Sequence, residues 1–242
     1  MKVLCVIPAR YASTRLPGKP LKLIVGKPMI QWVYEQAVKA RAPFEVLVAT
    51  DDQRVYDAVT AFGGKAMMTR ADHPSGTDRL AEVASHYPDV DVVVNVQGDE
   101  PMLPPEIIDR LAAVFEEDKT VDMATMKVVM RPEEYNQPAA VKVVTDKNGY
   151  ALYFSRSLLP YPRKQIAGAK VYKHVGVYAY KRDFLLKYAK MQPTLLEQVE
   201  SLEQLRALEN GYKIKVLESD FQGVGVDTQE DLDAVNKLLG GK

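Results

Sequence analysis

Residues 3–20, VLCVIPARYASTRLPGKP, decide how this chain reads. Val3 to Ile7 is an apolar run rich in β-branched side chains, the pattern of a strand buried on both faces of a parallel sheet. Pro8 ends the run. Arg10, Arg15 and Lys19 follow, interleaved with Pro17, Gly18 and Pro20, which disfavour a regular helix and leave backbone N–H groups free to face a ligand. A polyphosphate site is built in this way. A solvated basic loop is the plain alternative on these residues alone, so the rest of the chain has to decide.

Outward from that stretch, Pro28 to Arg41 places Ile30, Val33, Tyr34 and Ala37 at helical spacing, with Pro28 suited to a first turn. Phe44 to Ala49 reads as a second strand. A helix follows it, with Thr50 or Asp51 as N-cap and Gly63 as stop. Strand alternating with helix predicts a parallel α/β sheet. Lys65 to Met68 is a short third strand, and Arg70 to Arg79 is a polar loop before a helix reaching about His86; either Ser75 or Thr77 caps that helix or the loop meets a ligand. Asp91 to Val96 is the most strand-like segment and runs into Gln97-Gly98-Asp99-Glu100, with a helix from Pro104 or Pro105.

From Asp122 the pattern changes. MATMKVVM, AAVKVVTD and YALYFSRS are strands with little helix between them, and Asn148-Gly149 marks a tight hairpin. Residues 122–180 therefore form an antiparallel insert or small second sheet, closed by the strand VYKHVGVYAY with His174, Gly176, Tyr178 and Tyr180 on one side. Leu195 to Asn210 reads as one amphipathic helix with Leu195, Val199, Leu202, Leu205 and Leu208 inward. Strands at Lys213–Leu217 and at GVGV, then a helix from Thr228 to Leu239, complete a single domain over 1–242.

Composition bounds the partners. The 242 residues carry 32 Lys plus Arg and 32 Asp plus Glu, so there is no basic footprint for nucleic acid. The single cysteine, Cys5, excludes an internal disulfide framework and fits a reducing cytoplasm. No stretch approaches the ~20 apolar residues of a membrane span, and the N-terminal apolar run is too short for a signal peptide.

Several motifs are excluded. Gly18-Lys19 is followed by Pro20, so there is no Walker loop, and Gly223 and Gly225 lack the third glycine of a dinucleotide fingerprint. His73, His86 and His174 are far apart, against a zinc site, and there is no G-x-S-x-G elbow. Carboxylates at strand ends remain. Asp99 lies just past a strand that should be central, where an unpaired buried carboxylate costs several kcal/mol unless a cation, such as a metal, meets it. Capping explains it poorly because the prolines place the helix start later. Asp227, by contrast, heads a D-x-x-E capping box, and spacing alone favours that role. Arg156 within YFSRS needs a partner, and an aromatic stripe such as His174 with Tyr178 is more often core than site. The residues by themselves imply a metal-assisted phosphate site in an α/β sheet and leave the substrate open.

PARYASTRLPGKPL, HPSGTDRLAEV, VNVQGDEP, AVKVV, GYALYFSRS, KHVGVYAY, LEQLRALENG and GVDTQEDL together resemble the 3-deoxy-manno-octulosonate (Kdo) cytidylyltransferases, in that family's order and across nearly the whole chain. The first block is shared with other sugar-activating nucleotidyltransferases. GYALYFSRS and KHVGVYAY point to the Kdo branch. The resemblance implies a Rossmann-like, mostly parallel sheet of the nucleotide-diphospho-sugar transferase type. It also implies an enzyme that transfers CMP from CTP to the anomeric hydroxyl of Kdo, giving CMP-Kdo and pyrophosphate for lipopolysaccharide biosynthesis, by in-line attack with Mg²⁺.

By the same resemblance Arg10, Lys19, Asp99 and Asp227 are catalytic, and Asp99 and Asp227 hold Mg²⁺, which reverses the capping role for Asp227. Ala9, Arg10, Ser13, Arg15, Lys19, Ser75, Gly76, Arg79 and Asp99 bind CTP. The sugar acid meets Gln97, Arg156, Arg163, His174, Tyr178, Glu203 and Gln204, and the insert forms a homodimer surface. Two rivals are a nucleotidyltransferase with another sugar acid or nucleotide, and a non-catalytic nucleotide-binding regulator; the presence of both Asp99 and Asp227 argues against the second.

Overall fold

Val3–Pro8 forms β1, and its residues Val3 to Ile7 are at most 2% exposed. Burial on both faces follows from parallel neighbours on both edges: Cys5 pairs with Val46 on one side and Val94 on the other. The computed structural model describes all residues except Thr14, Gln165 and Lys242. The parts of the two expected loops that fall on Thr14 and Gln165 thus lie outside the described residues.

After β1 come a short antiparallel pair, β2 (Leu23–Ile24) and β3 (Lys27–Pro28), and helix α1 (Met29–Ala37). β4 (Pro43–Thr50), α2 (Gln53–Ala61), β5 (Ala66–Met68), α3 (Gly76–Ser85), β6 (Val92–Asn95) and α4 (Pro105–Glu117) continue the alternation. β7 (Met123–Val129), β8 (Lys142–Thr145), β9 (Ala151–Ser155) and β10 (Tyr172–Lys181) follow. The chain ends with α5 (Arg182–Tyr188), α6 (Leu195–Glu200), α7 (Leu205–Glu209), β11 (Ile214–Ser219) and α8 (Gln229–Gly240).

The main sheet runs β5-β4-β1-β6-β10-β7-β11, parallel except for β10, which is antiparallel to both β6 and β7. One apolar cluster packs Cys5, Ile7 and Val94 against α1, α2 and α4, and a second packs Leu4, Val6 and Val93 against α3, α5 and α7. Alternate residues of the same strands thus feed the two faces. The expected α/β sheet with an antiparallel insert is present. Its insert strands, however, hydrogen-bond into the main sheet, β8 through β10 and β9 through β8, and the separate small antiparallel sheet is β2 with β3.

Four local expectations change. Asp52, in extended backbone, caps α2 by accepting from the Arg54 N–H, while Asp51 turns inward toward Arg79. Gly223–Val226 carries no strand; its last amide donates to the Asp99 carbonyl at 2.9 Å. Thr228 rather than Asp227 caps α8, with Asp231 closing the box, and this one-residue shift frees the Asp227 carboxylate.

The Leu195–Asn210 segment is two helices, broken at Ser201, whose φ is 50°. Leu195 and Val199 are 72% and 73% exposed because Glu197, not the leucine stripe, points inward to meet Arg206 at 2.8 Å. Among the described residues no helix is long and apolar enough to cross a membrane.

That pair generates a stability test. Both side chains are about one-tenth exposed, so removing one partner strands a buried charge. Glu197→Ala is expected to lower the unfolding free energy by about 3–5 kcal/mol in urea titration. A loss below about 1 kcal/mol would show the pair to be solvent-screened.

Candidate active site

The chain leaves β1 toward β4 and β5 on one side of the sheet, then returns as β6 on the other. The C-terminal ends of β1 and β6 therefore flank a topological switch point, the place where open α/β sheets bind ligands. Residues 9–22 leave β1 there, and Gln97 to Glu100 leave β6. The two exits touch: a Cβ on Gly98 would stand 2.9 Å from the Pro8 carbonyl, so only glycine fits.

A third apolar cluster, Leu16, Ile24, Met29, Val226, Leu232 and Val235, ties the basic loop to the segment before α8. It brings Lys19 to two carboxylates. Lys19 Nζ lies 2.6 Å from Asp99 Oδ2 and 2.8 Å from Asp227 Oδ1, and Arg15 Nη2 adds a contact of 3.1 Å to Asp227. Burial alone would lower the Lys19 ammonium, but the two carboxylates outweigh it and hold its pKa above the usual lysine value. Burial likewise pushes Asp227 up, and Lys19 and Arg15 overcome it, keeping that carboxyl below its ordinary range.

The two carboxylates converge on a single cation, with side chains 28% and 42% exposed. They are hard oxygen donors. Among the described residues no group of three or more Asp, Glu, His or Cys is placed to hold a metal by itself. Two carboxylates that leave the remaining positions to phosphate and water fit Mg²⁺.

The other residues expected at the nucleotide divide. Arg10 is partly exposed and forms no ion pair among the described residues. Its charge reaches Arg79, whose guanidinium is pulled below its usual pKa by burial and then by Arg10. Arg79 is fully buried, bonded to Thr69 Oγ1 and 3.1 Å from Asp51 Oδ2, so it faces the end of β4. Ser75 caps α3, accepting from Asp78 N–H at 3.3 Å. The Ala9 amide donates to the Ala49 carbonyl, and Ser13 Oγ accepts from Leu16 N–H.

Beside this lies a cavity of about 230 Å³ lined by Gln97, Tyr178, Glu203 and Gln204, and also by Gly76, Thr77, Asn95, Tyr180 and Tyr188. Its wall depends on an irregularity in β10. Opposite β7, Val175 pairs with Met126 and Tyr178 with Thr125, so Gly176 and Val177 bulge out. The Gly176 carbonyl accepts from Gln97 Nε2 at 2.9 Å, and Thr125 Oγ1 donates to the Val177 carbonyl at 2.7 Å. With that proton committed, His174 Nε2, 3.0 Å from the same hydroxyl, is the donor, which leaves Nδ1 as an acceptor. Burial pulls His174 down to about 3, so the ring is neutral at ordinary pH.

His174 itself lines an adjoining cavity of about 360 Å³ with Glu100, Lys173 and Gly176. Burial and the Glu203 charge raise Tyr178 well above its ordinary value, and burial also raises Glu203.

Two expected sugar contacts are not brought to these cavities. Arg156, just past β9, spends its guanidinium on three carbonyls, with Nε to Glu200 at 2.7 Å, Nη1 to Pro138 at 3.0 Å and Nη2 to Ser201 at 3.1 Å. It buckles the insert to the break between α6 and α7, which answers its need for a partner. Arg163 is exposed beside a separate groove with Tyr161 and Lys170.

Asn95, Thr77, Tyr180 and Glu100 are site neighbours that the motifs did not single out. Asn95 carried a signal, being the one polar residue in an otherwise apolar strand core.

Burial, then the Asp99 charge, push Glu100 up to about 7. Because the folded carboxyl holds its proton above the ordinary glutamate value of 4.5, the metal-free protein should lose stability as pH rises from about 4.5 to about 7, by roughly 1–3 kcal/mol. Urea midpoints at about pH 5 and pH 8 should show this slope in the parent and not in Glu100→Gln.

The chain matches the cytidylyltransferase family over residues 4–214. It is 54% identical to the 3-deoxy-manno-octulosonate cytidylyltransferase of Fusobacterium nucleatum over 236 residues, covering 97% of this chain and 96% of that relative. It is also 54% identical to the enzyme of that name from Geotalea uraniireducens, covering 99% of each. A solved CMP:2-keto-3-deoxy-manno-octonic acid synthetase complexed with CTP superposes with a TM-score of 0.95 at 50% identity, over 100% of this chain and 99% of that one. A cytidylyltransferase from Leptospira borgpetersenii shares the fold, with a TM-score of 0.65 at 17% identity. The switch-point geometry and these full-length likenesses agree: the chain belongs to the 3-deoxy-manno-octulosonate cytidylyltransferase family and is a nucleotidyltransferase enzyme.

Proposed function

We propose that this enzyme transfers CMP from CTP to the anomeric hydroxyl of 3-deoxy-manno-octulosonate, giving the CMP-sugar and pyrophosphate. What carries the reading is the Lys19 ammonium held between Asp99 and Asp227 at the switch point, beside a polar cavity of sugar dimensions. The relatives, named for 3-deoxy-manno-octulosonate cytidylyl transfer, and the CTP-bound neighbour support the two substrates.

Arg10, Arg15 and Lys19 take the triphosphate. Guanidinium groups suit bidentate contact with phosphate oxygens, and the lysine places a point charge where the leaving pyrophosphate gains negative charge. Mg²⁺, held by Asp99 and Asp227, supplies charge stabilisation at the phosphate oxygens. In the protein alone, Lys19 and Arg15 neutralise those same carboxylates, so nucleotide and metal binding exchange one set of ion pairs for another. The sugar hydroxyl attacks the α-phosphorus as the bond to the pyrophosphate oxygen breaks, with no covalent enzyme intermediate. Gln97, Tyr178, Glu203 and Gln204 orient the sugar acid, and neutral His174 offers Nδ1 as an acceptor from the adjoining cavity.

The insert, 122–180, both walls the sugar site and forms a homodimer surface within the one domain. Leu152, Tyr161 and Ile166 are 63%, 81% and 69% exposed on it, an apolar display suited to a second copy. Sedimentation should give a dimer at micromolar concentration, and a monomer there overturns this assignment.

Asp99→Asn is expected to abolish pyrophosphate release from CTP and the sugar acid while leaving the circular dichroism unchanged; turnover near the parent rate would sink the metal assignment. Lys19→Gln should lower kcat by about 10²–10³-fold, the cost of losing one aimed charge-stabilising donor. Offering CTP, UTP and GTP with 3-deoxy-manno-octulosonate or sialic acid tests the substrates: release with the first pair alone is expected, and another preferred pair would replace this reading.

A further inference from the structure

Two amides in the cavity lack partners. Asn95, at the end of β6, is 4% exposed, and its Oδ1 has no hydrogen-bond partner among the described residues. Gln204 is 5% exposed, and its Nε2 is likewise unpaired. Both line the same 230 Å³ space. An unpaired buried amide weakens a fold, and valine would suit the position of Asn95, between Val94 and Val96 in the middle of the sheet. The loss is recovered when a ligand provides the missing partner.

The lining says what kind of ligand group that is. Among the described residues around the cavity there is no lysine or arginine, and its one carboxyl, Glu203, is raised by burial. A phosphate or carboxylate has no counter-charge here. The polar groups are amides of Asn95, Gln97 and Gln204 and hydroxyls of Thr77, Tyr178 and Tyr180, a mixture of donors and acceptors. A hydroxyl, which both donates and accepts, is the group that satisfies such a wall.

We propose that Asn95 is a specificity residue, its Oδ1 accepting a hydrogen bond from one hydroxyl of the sugar acid's carbon chain, with Gln204 supplying a donor in the same cavity. The assignment rests on the reading of the substrate given above. It places the polyhydroxyl part of the sugar in the neutral cavity and its carboxylate outside.

The test compares the parent with Asn95→Val and Asn95→Ala on CTP with 3-deoxy-manno-octulosonate and with a panel of its monodeoxy analogues, one for each chain hydroxyl. Both variants should show kcat/KM for the sugar reduced by about 10–100-fold with the KM for CTP unchanged. For one analogue the parent should lose about as much, and the variants should lose nothing further. Without substrate, Asn95→Val should melt no lower than the parent. The proposal is overturned by a sugar kcat/KM within about twofold of the parent, by equal losses on every analogue, or by a lower melting temperature of the substrate-free Val variant, which would mean that the fold itself satisfies the amide. Absence of turnover by the parent would overturn the substrate reading instead.

Discussion

Asp99 and Asp227 face one another across the end of the sheet, and two carboxylates at such range repel unless a cation lies between them. Lys19 is that cation, separated from Asp99 by 80 residues and from Asp227 by 208. Three loops from three parts of the chain are thus held in one place by a single ammonium. Apolar packing brings them within reach: Leu16 beside the cation and Val226 beside Asp227 share one buried cluster. Hydrophobic burial positions the loops, and the ion pairs set the final geometry. The same charges are those that the proposed reaction assigns to a triphosphate and its metal.

On the other side of β6 the electrostatics reverse. The cavity beside Gln97 is lined by amides and hydroxyls with a single carboxyl, and it exists because β10 bulges at Gly176 and Val177. Thr125 stabilises the bulge through a carbonyl left unpaired by the ladder and fixes the His174 tautomer at the same time. One strand irregularity therefore shapes both cavities. A regular β10 would place Val177 in the ladder and remove the Gly176 carbonyl from Gln97.

The fold was legible in the periodicities. β1, β4 and β6 are apolar runs that need burial on both faces, and the helices between them have one apolar stripe each, so a parallel sheet was the consistent solution. Where reading failed, a polar contact had overridden an apolar pattern. The leucine stripe from Leu195 to Leu208 promised one helix, but Glu197 reaching Arg206 rotated the first part until Leu195 faced solvent. Thr228 took the cap expected of Asp227 because either residue fits a box one position apart, and the carboxylate left over pairs with Lys19 and Arg15. Arg156 was conspicuous in its strand-end setting, yet its partners are backbone carbonyls, which leave no trace in side-chain spelling.

The sequence by itself determined the sheet, its strand termini and the residue types gathered there, because burial and turn chemistry are local properties written in spacing. The motifs of the basic loop and of the later strands also carried the family. Only the tertiary structure decided which charges meet. That Lys19 bridges Asp99 and Asp227, that Arg79 turns to Asp51, and that Asn95 faces a cavity without a partner all depend on distances between segments far apart in the chain. Hydrogen bonds vanish beyond about 3.5 Å and exposed charges are screened over about 10 Å, so those distances separate a site residue from a structural one.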